Sequence, residues 1–209
     1  MKVKIKPMTR ETYEKLLKFG DQGSFMLWEK EKPEDEKAGL SDMRLFKDPN
    51  LVSRLKEGAV FVAINLSKGV ERKDGYKGPW WNFHSEVGNN TDVKLRHAFE
   101  GTPFEGCYIT DLVKDHPESD SSVVQTLVKA NPQIAVNNIK TLREELECFN
   151  EKPVIVAMGG FVRDQLKEHL GNEYEIVDIY HYSYRFKGYK EKAKYREHIL
   201  DFIKTLNIE

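Results

Sequence analysis

Between positions 58 and 67 the chain reads GAVFVAINLS. Five apolar residues, Val60 to Ile64, run without a break and give way at once to Asn65 and Ser67. A short apolar run bounded by turn signals predicts a strand buried on both faces. Gly58 is expected to close a helix before it. The same pattern recurs three times: at 106–113 (GCYITDLV), polar again at Thr110 and Asp111; at 153–158 (PVIVAM), running into Gly159-Gly160; and at 175–180 (EIVDIY), running into His181-Tyr182-Ser183-Tyr184.

Between these runs the spacing turns helical. Thr9 is expected to cap a first helix carrying Tyr13, Leu16 and Leu17. Asp48 and Pro49 are expected to open a second, through Asp at the cap and Pro at the first position. Helices are predicted at 92–99, from Ser119 or Asp120 through Leu127, and from Pro132, where Ile134, Ile139, Leu142, Leu146 and Phe149 form a stripe. Two more cover 161–170 and 189–206, the last with Ile199, Leu200, Ile203 and Leu206 turned inward. The segment 23–29 reads as a short strand or apolar tether, and 29–37 as a solvated charge run. Strands alternating with helices predict right-handed crossovers and a mostly parallel sheet flanked on both faces.

The stretch 68–91 lacks periodicity. It holds Gly69, Gly75, Gly78, Pro79 and Gly88 with Trp80, Trp81 and Phe83. Aperiodic loops of this length are usually functional or disordered, and large aromatic rings argue against disorder.

Composition narrows the class. The 209 residues suffice for one sizeable core. A 32% charged content with a formal net charge of −1 predicts a soluble globular chain without the global excess of positive charge common in nucleic-acid binders. Two cysteines, Cys107 and Cys148, cannot build a disulfide framework or a four-thiolate cluster. They fit a reducing, cytoplasmic setting. No apolar run approaches the ~20 residues of a membrane span, and the start of the chain has no signal-peptide core.

In an open parallel sheet, ligands bind beyond the carboxyl ends of the strands. That edge would carry Asn65 with Ser67, Thr110 with Asp111, Gly159 with Gly160, and His181 with Ser183. Each has a structural reading: a turn, a cap, a tight helix start, a satisfied loop histidine. Together they exceed what packing asks for. Gly159-Gly160 before a helix offers N–H groups and a positive dipole end to an anion. The chain contains neither a phosphate-binding loop nor a dinucleotide fingerprint. The six histidines have no zinc-like spacing, and a nucleophile elbow is absent. Neither metal nor cofactor is implied.

The order of these motifs resembles the uracil-DNA glycosylase superfamily, most closely its mismatch-specific uracil/thymine branch. Ala63-Ile64-Asn65-Leu66-Ser67 stands where that branch has Gly-Ile-Asn-Pro-Gly. Gly78-Pro79-Trp80-Trp81-Asn82-Phe83 is similar to its loop of Pro, Asn, Phe and Trp. Gly106 through Val113 is similar to its Gly-Val-x-x-Thr strand, and Pro153 through Gly160 to its next strand and helix. His181-Tyr182-Ser183-Tyr184 resembles the His- or Asn-Pro-Ser signature before a DNA-wedging loop. The likeness spans about 58–205.

The resemblance implies a three-layer α/β/α sandwich with a central four-stranded, mostly parallel sheet. The whole chain would be a single domain, 1–57 forming an N-terminal helical extension packed on it. The implied reaction is hydrolysis of the N-glycosidic bond of a base flipped out of DNA. Asn65 would hold the attacking water and His181 stabilise the departing base. Phe83 or Trp81 would stack on the base, with Thr110 and Asp111 beside it. Ser67, Ser183 and the N–H groups around Gly159 and Gly160 would hold phosphates. Tyr184, Arg185 and Phe186 would fill the vacated stack, and Lys187 joins a basic stretch, 185–196, that would steer DNA. An iron–sulfur cluster is excluded by the cysteine count. A monomer is expected.

Ala63, Leu66 and Tyr182 depart from the pattern, Tyr182 replacing a Pro. Asp111 stands where related branches read uracil with Asn. A carboxylate cannot donate to a carbonyl; it accepts from an amino group. Two alternatives stay open: a non-catalytic nucleic-acid or nucleotide binder on this fold, and a hydrolase of free nucleosides or nucleotides.

Overall fold

A computed structural model describes residues 2–67, 76, 78–85, 91–184 and 186–209. Four parallel strands form the centre: β4 (Lys56–Asn65), β5 (Cys107–Val113), β6 (Val154–Met158) and β7 (Ile176–Ile179), in the order β5-β4-β6-β7. Two short antiparallel pieces extend it: β2 (Lys6–Pro7) on β4 and β3 (Ser24–Phe25) on β5. A separate parallel pair joins β1 (Lys2–Val3) to β8 (Asn207–Ile208).

The period of two along β4 sorts its side chains into the two halves of the core. Val60, Val62 and Ile64 pack on one side with helices α4 (Ser121–Ala130), α5 (Gln133–Leu146) and α6 (Gly160–Leu170). Ala59, Phe61 and Ala63 pack on the other with α3 (Asp92–Phe99) and α7 (Lys192–Thr205). Each fully buried Val, Ile or Phe contributes about 1.5–3 kcal/mol, so this doubly covered strand anchors both layers. The chain is thus a three-layer α/β/α sandwich on a mostly parallel sheet.

The helix caps follow local chemistry. Thr9 Oγ1 accepts from Thr12 N at 3.1 Å to start α1 (Arg10–Leu16), and Asp120 Oδ1 accepts from Ser122 N at 2.9 Å to start α4. Other expectations are corrected. The second helix shortens to α2 (Leu51–Arg54), because Asp48 spends its carboxylate on a turn, accepting from Asn50 N at 2.8 Å. Gly58 lies inside β4, not at a helix end. Its φ of 113° and the approach of the Lys4 carbonyl leave no room for a Cβ, and the β4–β5 register shifts between Lys56 and Val60. The last helix begins at Lys192 and buries Tyr195 and Ile199, leaving Leu200 on the outside.

The strand order reverses between β4 and β6, since the chain steps from β4 to one neighbour and returns to the other side of it. The carboxyl ends of those two strands therefore flank the switch point at which open α/β sheets open a crevice.

Candidate functional site

β4 ends in Asn65. Its Nδ2 donates to the carbonyls of Leu66 (2.8 Å) and Glu118 (2.7 Å), while Glu118 N donates to Leu66 O at 3.0 Å. The amide thus ties the exit of β4 to the connection after β5, and Oδ1 is left to accept. Ser67 is exposed just beyond.

β5 splits its two polar residues between opposite faces, as strand alternation requires. Thr110, expected beside a base, faces the α5 layer. Its Oγ1 donates to Glu145 Oε1 at 3.3 Å and accepts from Lys114 Nζ at 2.9 Å. Lys114 Nζ lies 3.3 Å from the fully buried Glu145 carboxylate. Burial pushes the Glu145 pKa up and the ammonium opposes it. This cluster lies across the sheet from Asp111.

Asp111 takes the other face, in register with the small Ala63. Its Oδ2 accepts from Asn82 Nδ2 at 2.8 Å. The orientation of Asn82 is set on both sides: Nδ2 also donates to Gln22 O at 2.8 Å, and Oδ1 accepts from Phe83 N at 3.0 Å. Asp111 is 1% exposed, and its Oδ1 has no partner among the described residues. Burial raises its pKa to about 7, against the Asn82 hydrogen bond and the Lys114 charge. Nearby, Asp92 Oδ2 accepts from Ser85 N at 3.0 Å, and burial raises that carboxyl to about 6.

The loop that supplies Asn82 is pinned by its tryptophans. Trp80 is fully buried against Phe25, with ring centroids 4.8 Å apart, and its carbonyl accepts from Ser24 Oγ at 2.7 Å. Trp81 is half-buried against the same half of the core, away from Phe83. Phe83 enters the other half at φ 63°, and its carbonyl accepts from Trp28 Nε1 at 3.1 Å.

β7 leads into His181, Tyr182 and Ser183. The Ser183 N–H donates to His181 Nδ1 at 3.1 Å, with Ser183 Oγ 2.7 Å from the same nitrogen. A nitrogen accepting from a backbone N–H carries no proton, so in the neutral ring the proton sits on Nε2. Desolvation, then the Lys94 charge, lowers the His181 pKa to about 4. The ring stacks on Tyr182 at 4.2 Å, and Tyr182 meets Phe83 edge to face at 6.5 Å. Burial raises the Tyr182 pKa, and the charges of Asp92 and Asp111 add to it. Lys94 holds the segment down by donating to the carbonyls of Tyr184 (3.1 Å) and Tyr189 (2.8 Å).

Gly159 has φ 107°, and its N–H donates to Ile179 O at 2.8 Å, so that donor is not available to a phosphate. The N–H groups open to an anion begin at Gly160, in the first turn of α6. Tyr184 stacks on Tyr180 at 4.7 Å, Ser183 and Lys187 are exposed, and Phe186 is 74% exposed. Arg185 lies outside the described residues, as do 68–75 of the aromatic loop.

Hydrogen bonds and ring contacts thus link Phe83, Asp111 and His181 at the sheet edge through Asn82 and Tyr182, with Asp92 bonded to Ser85 N close by in the chain; the sequence reading assigned none of Asn82, Asp92 and Tyr182 to a base. Asn65 and His181 leave the same edge two strands apart. No hydrogen bond joins them, and the Asn65 amide nitrogen is turned toward the β5 side. Elsewhere, a groove of about 620 Å³ between Glu31, Glu36, His97 and Lys192 has its charges paired internally: His97 Nδ1 is 2.8 Å from Glu31 Oε2, and Lys192 Nζ is 2.7 Å from Glu36 Oε1. Among the described residues no group of three or more His, Cys, Asp or Glu is arranged to hold a metal ion, and no helix is long and apolar enough to cross a membrane.

A mostly parallel sheet covered by helices on both faces, with its strand order reversing between β4 and β6, defines a doubly covered α/β protein. The chain belongs to the uracil DNA glycosylase superfamily, whose family model matches residues 48–206. No curated protein and no solved structure matches it.

Proposed function

We propose that the protein binds a base turned out of DNA at the β4–β6 crevice and hydrolyses its N-glycosidic bond. The observation that carries this reading is the fixed tautomer of His181: neutral, with its proton on Nε2, at the sheet edge. As the bond from C1′ to the base nitrogen breaks, the base leaves with the electron pair and the sugar becomes an oxocarbenium-like cation. A neutral N–H donor stabilises the developing anion without giving up its proton. Asn65, its nitrogen already committed to two carbonyls, keeps Oδ1 to orient a water toward C1′. That water adds to the cation and releases a proton to solvent. Membership of the superfamily supports the same chemistry.

One observation favours a second reading. Tyr182 packs on Phe83 and has to move before a base can stack there. A protein in which it stays would bind nucleic acid without cutting it.

The test incubates the protein with duplexes bearing uracil, hypoxanthine, xanthine or mismatched thymine, then applies alkali to reveal abasic sites. Cleavage that falls about 10²- to 10³-fold in His181→Asn supports hydrolysis. No cleavage, with salt-sensitive retention of DNA, overturns it in favour of the binder.

A further inference from the structure

We propose that Asp111 selects an extruded base by an exocyclic amino group, cytosine- or adenine-like, and turns away bases with a carbonyl at that position. The inference deepens the reading above and rests on it.

Asn82 immobilises one oxygen of Asp111, and the other is buried with no donor among the described residues. Asn82 cannot turn over to offer anything else, because Phe83 N–H occupies its own oxygen and Gln22 O its nitrogen. Opposite in register stands Ala63, whose methyl has no hydrogen to donate. A buried acceptor is completed only by an incoming N–H or O–H. An amino group supplies one; a carbonyl oxygen would meet the ionised Asp111 carboxylate, the form that prevails at pH 7.5, and be repelled.

The experiment compares bases that differ in this one group. Duplexes carry hydrolysis-resistant 2′-fluoroarabino cytosine, uracil, adenine or hypoxanthine opposite an abasic site, and binding is followed by fluorescence anisotropy at pH 7.5 and fixed salt. Cytosine should bind more tightly than uracil, or adenine than hypoxanthine, in whichever pair the hollow accommodates. A hydrogen bond to a charged acceptor corresponds to about a ten- to hundredfold preference. Asp111→Asn keeps the Asn82 bond and presents a donor instead, so the preference should vanish or invert. Preference for the carbonyl partner, equal binding within both pairs, or a preference that survives Asp111→Asn overturns the selection by Asp111. Four probes that bind no more tightly than a fully paired duplex overturn the extruded-base reading itself.

Discussion

Asp111→Asn should make the protein more stable at alkaline pH, and the gain should shrink as pH falls. The Asp111 carboxyl moves from an ordinary 3.8 to about 7 on folding, with burial as the main cause. A raised folded pKa means that the native state holds its proton longer than the unfolded chain does. The ionisation penalty is therefore absent below about pH 3.8, grows as pH rises, and is complete above about 7. With 1.36 kcal/mol for each pH unit of displacement, it amounts to about 4 kcal/mol at pH 8 and about 2 kcal/mol at pH 5. The asparagine removes the charge and keeps an oxygen for Asn82, but buries an amide N–H group without a partner, a cost of about 1–3 kcal/mol. The variant should be about 1–3 kcal/mol more stable than the parent at pH 8, and the gap should narrow by about 2–3 kcal/mol on going to pH 5. Urea unfolding, followed through the buried Trp80 and its neighbours, measures this directly, with an unchanged m-value confirming that the native state is the same. A gap constant with pH would refute the reasoning, because the other buried carboxyls, Asp92 and Glu145, are common to both proteins.

Further outcomes follow from the same geometry. Lys114→Met strips the buried Glu145 of its counter-charge and should cost about 3 kcal/mol or more at pH 8, with the loss shrinking as pH falls because burial raises the Glu145 pKa and favours its neutral form; urea midpoints across that range decide it. Lys94→Met removes the cation that helps hold His181 near 4, so the imidazole should titrate at higher pH in NMR, with His181→Asn identifying the resonance. Gly159→Ala should lose about 1–2 kcal/mol by urea unfolding, because φ 107° disfavours any Cβ; the added methyl itself meets only His181 Cβ, at 3.7 Å.

The four central strands were legible because each is an apolar run covered on both faces, so local pattern and tertiary environment agree. Of the short flanking pieces, the segment 23–29 was read as a strand or a tether, and Lys6–Pro7 was not read as a strand. Ser24 and Phe25 become a strand only because Ile109 and Tyr108 offer an edge, and two residues carry no periodicity. Of the residues expected on the inward face of the last helix, Ile199, Ile203 and Leu206 pack on the core, while Leu200 is turned out and Tyr195 fills the interior instead. The sheet edge was found from strand ends, yet the direction of each group depends on distant partners. Asn65 is aimed by a carbonyl 53 residues away, and Asn82 gains its role from Asp111, 29 residues on. One signal was present and unused: Thr110 and Asp111 are adjacent in a strand, so they could never face the same hollow.

If this edge captures a base as proposed, the seat that Tyr182 takes against Phe83 sets the timing of the encounter. A ligand that needs the same space meets a self-supplied competitor, so the apparent affinity is the intrinsic one scaled by the fraction of molecules with the ring swung out. Association should accelerate with DNA concentration and then level off at the rate of that swing. A base that leaves its helix only briefly will find the place occupied, which makes dwell time, as well as chemical identity, a criterion for capture.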